Sequence, residues 1–358
     1  MRFPILLLLT AGLFGSCTNE VKNMPPATGG IGDIFLVMDS SQWRGPLGKT
    51  LDSAFNAEMP GLPRKESRFK MRWIDPRKLN FVLRQSRNLI FVFTLDQNTG
   101  GSRILRGLFT PESIEKIKAQ PDNFLASAKN VFAKNQEVMY LTSTQEQHLL
   151  SMVKKNLAKL TDHFDFRERE RQSISLFKSG QVSGVSDVLK KEYQCYLKIP
   201  FGYKLADKQP DFVWLRQINP KDDKDIFIAR KKYTTPKAFE LESLVRFRDD
   251  ILRHYIYEDP EIPDTYFVTE RAVPFIPVTA DTINFNNHFA IRLRGIWRSN
   301  TFGMGGPFQG YALVDEANQQ FYYVEGFTFS PGRNQREIMR ELETILHTFR
   351  TSTELPKP

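Results

Sequence analysis

The chain has 358 residues, of which 41% are hydrophobic and 25% charged, with a formal net charge of +9. At about 150 residues per domain this suits two domains or one large one, with enough apolar residues to build packed cores. No apolar run reaches the ~18 residues of a membrane-spanning helix, two Cys exclude a disulfide framework or a Cys-only zinc site, and five scattered His exclude a His-rich metal centre.

The first 17 residues read as an address rather than as structure. Arg2 is a short positive start, residues 3–9 are apolar, and Leu13-Phe14-Gly15-Ser16 leads into Cys17. A charged start, a short apolar stretch and small residues before Cys form the pattern of a bacterial lipoprotein signal, with Phe14 a departure from the usual aliphatic residue. The expectation is cleavage before Cys17, lipidation of its thiol and acylation of the new amine, palmitate included. Each buried methylene contributes about 0.8 kcal/mol, and two or more chains anchor a protein stably. The expected location is the cell envelope, at the outer membrane and facing the periplasm. Residues 18–32, with Pro25-Pro26 and three Gly, read as a flexible tether.

Strands are predicted at 33–38, 69–74, 79–83, 89–95 and 137–141. Helices are predicted at 47–57, from Thr110-Pro111-Glu112 onward, at 123–133, and after a capping box at Thr144-Gln145-Glu146-Gln147. This gives an N-terminal α/β domain over 33–165. The charged stretch 166–190, with Arg167-Glu168-Arg169-Glu170-Arg171, reads as a connecting segment carried by helices with a solvated face. A C-terminal α+β domain follows over 191–351. Its strands are predicted near 195–199, 212–218, 226–233, 266–270, 288–297, 310–314 and 320–327. Its two helices run from Thr235-Pro236 to about Tyr255 and from a capping-box-like Asn334-Gln335-Arg336-Glu337. The fold class is therefore α/β to α+β: two sheet-and-helix layer halves, the second mainly antiparallel sheet on two long helices. Cys195 sits in a strand-like run with no base nearby in sequence and reads as a buried, inert thiol.

Charge is uneven. Residues 64–106 hold eleven Lys and Arg against Glu66, Asp75 and Asp96. Arg68, Lys70 and Arg72 are spaced by two and so share one face of a strand, opposite Phe69 and Met71. Such a face suits an anionic partner such as lipid headgroups, lipopolysaccharide or acidic glycan, but a solvated outer sheet surface accounts for it more simply. No recognition motif for nucleic acid accompanies it.

Catalytic signatures are missing: there is no H-E-x-x-H, C-x-x-C, Walker loop or G-x-S-x-G. No catalytic residue, metal ligand or cofactor is assigned. The acids of Glu258-Asp259-Pro260-Glu261-Ile262-Pro263-Asp264 do not have EF-hand spacing and read as a solvated loop. The most unusual local feature is Gly303-Met304-Gly305-Gly306-Pro307-Phe308, with Arg294 and Trp297 on the strand before it. Glycines allow close approach of a partner, and Met and Phe offer adaptable apolar contact. Arg294, Trp297, Met304, Gly305, Gly306 and Phe308 are therefore candidate binding residues, although Trp and Phe at such positions also close cores.

Arg246 to Leu252, Thr269-Glu270, Arg294-Gly295-Ile296-Trp297, Met304 to Phe308, Glu325-Gly326-Phe327 and Arg340 to Glu343 stand in a familiar order. With Gly32-Asp33, Pro60 to Pro63 and Arg87 to Ile90, they resemble the domain-of-unknown-function family 4837, secreted lipoproteins of gram-negative bacteria. The resemblance extends over the mature chain, with Gly303 an insertion. It implies an envelope lipoprotein and brings no activity, cofactor or catalytic residue. The expected function is a non-enzymatic binding or assembly component of the envelope. It is anchored through Cys17, and its partner is an envelope protein, glycan or anionic lipid. The alternative is an envelope glycan or peptide hydrolase using a carboxylate site with Glu270 or Glu325.

Overall fold

A computed structural model of the chain describes residues 24–219, 222–257, 262, 264–272 and 276–355. The signal segment, Cys17 and most of the acidic loop at 258–264 lie outside the described residues. The chain divides into two compact units. One comprises the residues up to Asn56 with Phe69–Phe164, and the other Ala57–Arg68 with Asp165 onward.

In the first unit, β1 (Asp33–Val37) is followed by helices α1 (Ser40–Arg44) and α2 (Pro46–Phe55), then β2 (Lys70–Ile74) and the short α3 (Phe81–Arg84). β3 (Asn88–Thr94), α4 (Gly100–Arg106), α5 (Pro111–Ala119), β4 (Leu125–Lys129), β5 (Glu137–Ser143) and α6 (Glu146–Lys155) complete it, together with the start of α7 (Leu157–Leu176). The sheet order is β2-β1-β3-β5-β4, parallel except for the edge strand β4. Parallel strands are joined by crossovers that cover both faces, so the central ones are apolar throughout. β3 is buried at every position. Leu36, Ile90, Val92 and Leu141 face α2 and α6, while Val37, Phe91, Phe93 and Val138 face the side of Leu105 and Phe109.

Two predicted elements differ. Residues 79–83 are not a strand. Asn80 accepts a hydrogen bond from Leu83 N at 2.9 Å and starts α3. Residues 123–133 are not a helix but contain β4, whose Leu125, Ser127 and Lys129 pair with Leu141, Met139 and Glu137 of β5. β4 is mostly exposed, so its side chains carry no alternation, and pairing with β5 outweighs the helix propensity of Ala and Lys.

The second unit contains α8 (Ser183–Tyr193), β6 (Cys195–Tyr196), β7 (Lys204–Gln209), β8 (Phe212–Asn219), β9 (Asp222–Lys232) and α9 (Leu241–Tyr255). β10 (Phe267–Thr269), β11 (Thr279–Phe285), β12 (His288–Ser299), β13 (Gly305–Asp315), β14 (Gln320–Phe329), α10 (Arg336–Leu346) and β15 (Arg350–Thr351) follow. Its curled antiparallel sheet runs β10-β12-β13-β14-β9-β8-β7, with β11 beside β10 along the same edge of β12. β6 pairs with β15 as a separate two-stranded ladder. The mainly antiparallel second half on two helices is as the sequence predicts. Alternation sorts its faces: Val213, Ile228, Tyr322 and Val324 meet α10, while Phe212, Phe227, Phe321 and Tyr323 meet α9.

Both predicted capping boxes mark real helix starts but do not form. The first backbone amide of α6, at Glu146, donates to Asp96 at 3.0 Å. At α10, Gln335 N and Arg336 N donate to the Glu66 carboxylate at 2.6 and 3.2 Å. Glu66 reaches α10 because 57–68 folds back on itself around Gly61, whose φ is +80°. A side chain there would be strained, and its Cβ would press on the Arg294 Cβ at 3.3 Å.

Candidate functional site

The predicted binding residues separate when placed on the sheet. Trp297 is 1% exposed, with ring centroids 4.3 Å from Phe267 and 5.4 Å from Phe327, and its Nε1 donates to Thr328 O at 3.3 Å. Phe308 is equally buried and lies 3.7 Å below the Arg248 guanidinium. Met304 packs on the same core. Gly306 is glycine because a Cβ there would sit 2.0 Å from Thr328 O, and at Gly305 one would sit 2.9 Å from Trp297 O. These glycines serve close approach within the protein. Trp297, Phe308 and Gly306 are core positions and offer no surface to a ligand. Arg294 points to the other face of the sheet, which Gly305 shares by register.

Glu325 and Glu270 are already engaged. Arg248 donates to both oxygens of Glu325, at 2.8 and 2.7 Å, and Tyr323 Oη adds a third bond at 2.6 Å. Burial raises the Glu325 pKa against the pull of Arg248, and the pair is enclosed completely. Glu270 pairs with Arg298 at 2.9 Å and accepts from Ala272 N at 2.7 Å. Both carboxylates are structural anchors in this arrangement.

The basic stripe is also divided. Lys70 and Arg72 are exposed on β2, where Arg72 lies 4.6 Å over the Phe35 ring and 3.7 Å from Asp33. Arg68 belongs to the second unit, and its guanidinium is held by Asp165, with Nε at 2.6 Å from the carboxylate. It is not part of that face.

What sequence reasoning missed is a groove of about 640 Å³ in the second unit. One wall is α7, which exposes Phe166 and Ile174 from a segment that otherwise reads as a charged, solvated face. The opposite wall is the β6/β15 ladder, where Tyr196 pairs with Arg350. The end of α10 forms the floor with Thr344 and His347. Lys198 Nζ lies 4.2 Å over the Phe177 ring, and Arg350 Nη1 bonds only the backbone oxygens of His347 and Phe349, at 3.0 and 2.6 Å. Neither cation has a carboxylate partner among the described residues. The acids at the rim are occupied: Glu354 by His288 at 3.1 Å and by Thr351 N, Glu170 by Arg167.

Behind the floor lies a polar row. The register aligns Asp281, Arg292 and Tyr311 across β11, β12 and β13, with Arg294 opposite Gln309 beside them. Arg292 and Arg294 share Asp281 at 3.3 and 2.5 Å. Tyr311 Oη stands 3.4 Å from both Glu343 Oε1 and His347 Nε2, and Arg169 reaches Glu343 at 3.2 Å. Burial opposes charge on Glu343, but Arg169, the His347 hydrogen bond and Arg292 together hold it below the usual carboxylate range. Burial keeps His347 below its ordinary value, so at neutral pH a neutral imidazole faces an ionised carboxylate. The arrangement can bind and orient an anion. Cys195, in the neighbouring β6, is buried, and burial pushes its thiol up to about 12, so that thiol is not activated. Among the described residues there is no cluster of three metal-ligating side chains, and no helix is long and apolar enough to cross a membrane.

Residues 183–348 match the family Domain of unknown function (DUF4837). The expected resemblance to that family thus stands for the second half. Residues 27–177, where its first-half positions lie, match a different family, Domain of unknown function (DUF8532). No curated protein matches the chain significantly. Among solved structures, the Ran-binding protein Mog1p of Saccharomyces cerevisiae is similar at 7% identity and a TM-score of 0.30, covering 44% of this chain and 90% of its own. The human StarD13 (DLC2) lipid transfer and protein localization domain is similar at 11% identity and a TM-score of 0.21, covering 46% and 95%. Likeness at those scores carries no argument about this chain.

Proposed function

We propose that this chain, whose residues 183–348 are a DUF4837 domain, is a non-enzymatic binding component of the cell envelope. In this reading it is anchored through lipidated Cys17 at the outer membrane and faces the periplasm. The observation that carries the binding role is the groove of the second unit. Lys198 and Arg350 have no carboxylate partner there, and Phe166 and Ile174 stand exposed beside them. Cations next to exposed apolar side chains suit an anionic amphiphile: the headgroup meets Lys198 and Arg350, and the first methylenes meet α7. The anchor supports this occupant, since a lipidated protein is held where such molecules are concentrated.

Two measurements test it. Cells given labelled palmitate should label the wild type and not Cys17→Ala; an unlabelled wild type overturns the anchor. The Cys17→Ala protein should float with phosphatidylglycerol vesicles and not with phosphatidylcholine vesicles. Lys198→Glu with Arg350→Glu should weaken flotation by about two to three orders of magnitude, at about 1 kcal/mol per basic residue removed and as much again for the charge introduced. Unchanged flotation of the double variant overturns the groove, and displacement by an acidic glycan but not by lipid moves the occupant to glycan.

A further inference from the structure

The first unit contains a second cavity, of about 330 Å³, between α5 and the outer face of β4 and β5. We propose that it is a binding site for a small organic carboxylate with an apolar ring or short chain, independent of the groove in the second unit.

Its floor follows from strand register. Ala126 of β4 lies opposite Tyr140 of β5, and Thr142, two residues on, shares Tyr140's face. The Tyr140 ring is fixed from behind by stacking on Phe91, at 5.6 Å and 14° between planes. Phe109 closes one side with its ring edge-on to Tyr140 at 5.7 Å, and is itself stacked on Phe93 at 5.3 Å. The roof is α5, which contributes Ser113, Lys116 and Ile117. No residue of α5 is buried, so this helix covers the cavity without filling it.

Three side chains that line the cavity make no hydrogen bond to a described residue: the Tyr140 hydroxyl, the Thr142 hydroxyl and the Asn123 amide. Thr142 is 8% exposed and stands on the cavity floor beside Tyr140. A ligand oxygen would give these three groups one shared acceptor in place of water. Burial also raises the Tyr140 pKa, so the phenol stays a neutral donor over the physiological range.

The charge of the lining chooses the ligand. Lys116 is the one charged residue among those that form the cavity, and no Asp or Glu joins it. All four groups, Lys116, Tyr140, Thr142 and Asn123, can donate, and together they suit a carboxylate. Phe109, Ile117 and Leu108 supply the apolar wall for its body. The volume lies at the lower end of the ~300–1,000 Å³ found for small-molecule sites, which suits one ring rather than an oligomer.

The test uses the purified protein and benzoate, with benzyl alcohol as the uncharged control, followed by ligand-observed NMR. Benzoate should bind saturably, and benzyl alcohol about tenfold more weakly, since a charge-assisted bond is worth about twice a neutral one. Tyr140→Phe with Lys116→Gln should weaken benzoate by about tenfold, by removing two such donors. Ala126→Leu, which fills the cavity from the edge strand, should abolish binding with an unchanged unfolding midpoint. Lys198→Glu with Arg350→Glu should leave benzoate binding as it is, so failure here and failure of the groove are read separately. Equal binding of benzyl alcohol overturns the carboxylate. Benzoate binding that survives Ala126→Leu, or falls with the groove variants, overturns the cavity as its site.

Discussion

The two units bury charge in different places. In the first, buried acids stand at strand ends: Asp39 and Asp75 follow β1 and β2, and Glu137 opens β5, where it meets His163 at 2.7 Å. The central strand β3 there is apolar along its middle on both faces. In the second, charged residues lie in mid-strand. Glu325 of β14 is locked to Arg248 of α9, Asp225 of β9 to Arg216 of β8 at 2.8 Å, and Arg292 and Arg294 of β12 to Asp281 of β11. A parallel sheet under crossover helices has apolar cover at every central position. Antiparallel strands contribute alternate residues to each face, so one row can be polar where its neighbour is apolar. On the face toward α10, the centres of β8, β9 and β14 are apolar at Val213, Ile228 and Val324, while β11 and β12 carry Asp281, Arg292 and Arg294. The polar row behind the groove follows from that freedom.

The comparison breaks most readily at Arg248. Arg248→Ala leaves Glu325 charged, enclosed and unpaired, and should lower stability by about 3–5 kcal/mol in urea unfolding. Replacing both partners with apolar residues of similar volume, Arg248→Met with Glu325→Leu, should recover most of that loss. If the double variant is no better than the single one, the pair does more than neutralise two buried charges.

Asp225 gives a pH-dependent version. Burial raises its pKa from 3.8 to about 7, against the pull of Arg216 and a hydrogen bond from Trp214. The folded form therefore holds a proton that the unfolded chain releases, and the stability contributed by this site falls as pH rises from about 4 to about 7. Asp225→Asn should be closest to wild type below pH 4 and gain on it steadily up to neutral pH. A gap that does not change over this range contradicts the assignment.

The smallest effect belongs to the first unit's exposed strand. Lys70→Gln and Arg72→Gln should each change stability by no more than about 0.5 kcal/mol, since both side chains are solvated. A larger loss at Arg72 locates useful energy in its stacking on Phe35.

Much of this was legible beforehand because it is local. Apolar runs with turn signals marked β1, β3 and β5. The Thr110-Pro111 start fits α5, where Thr110 accepts from Ser113 N at 3.3 Å, and the spacing of 338, 342, 345 and 346 marked the inward face of α10. Helix starts at α6 and α10 were also readable, since amides without partners need an acceptor wherever the helix begins. Which acceptor arrives is a tertiary matter: Asp96 and Glu66 come from 50 and 269 residues away. The same limit applies to the site. Arg294, Trp297 and Phe308 are close in sequence, but pleating sends Arg294 to one face and Trp297 and Phe308 to the other. Lys198 and Arg350, unremarkable in sequence, meet because a two-residue ladder pairs β6 with β15. Periodicity is set by each residue's own backbone and survives in the sequence; a groove depends on which distant segments fold beside one another, and that is decided only when the core closes.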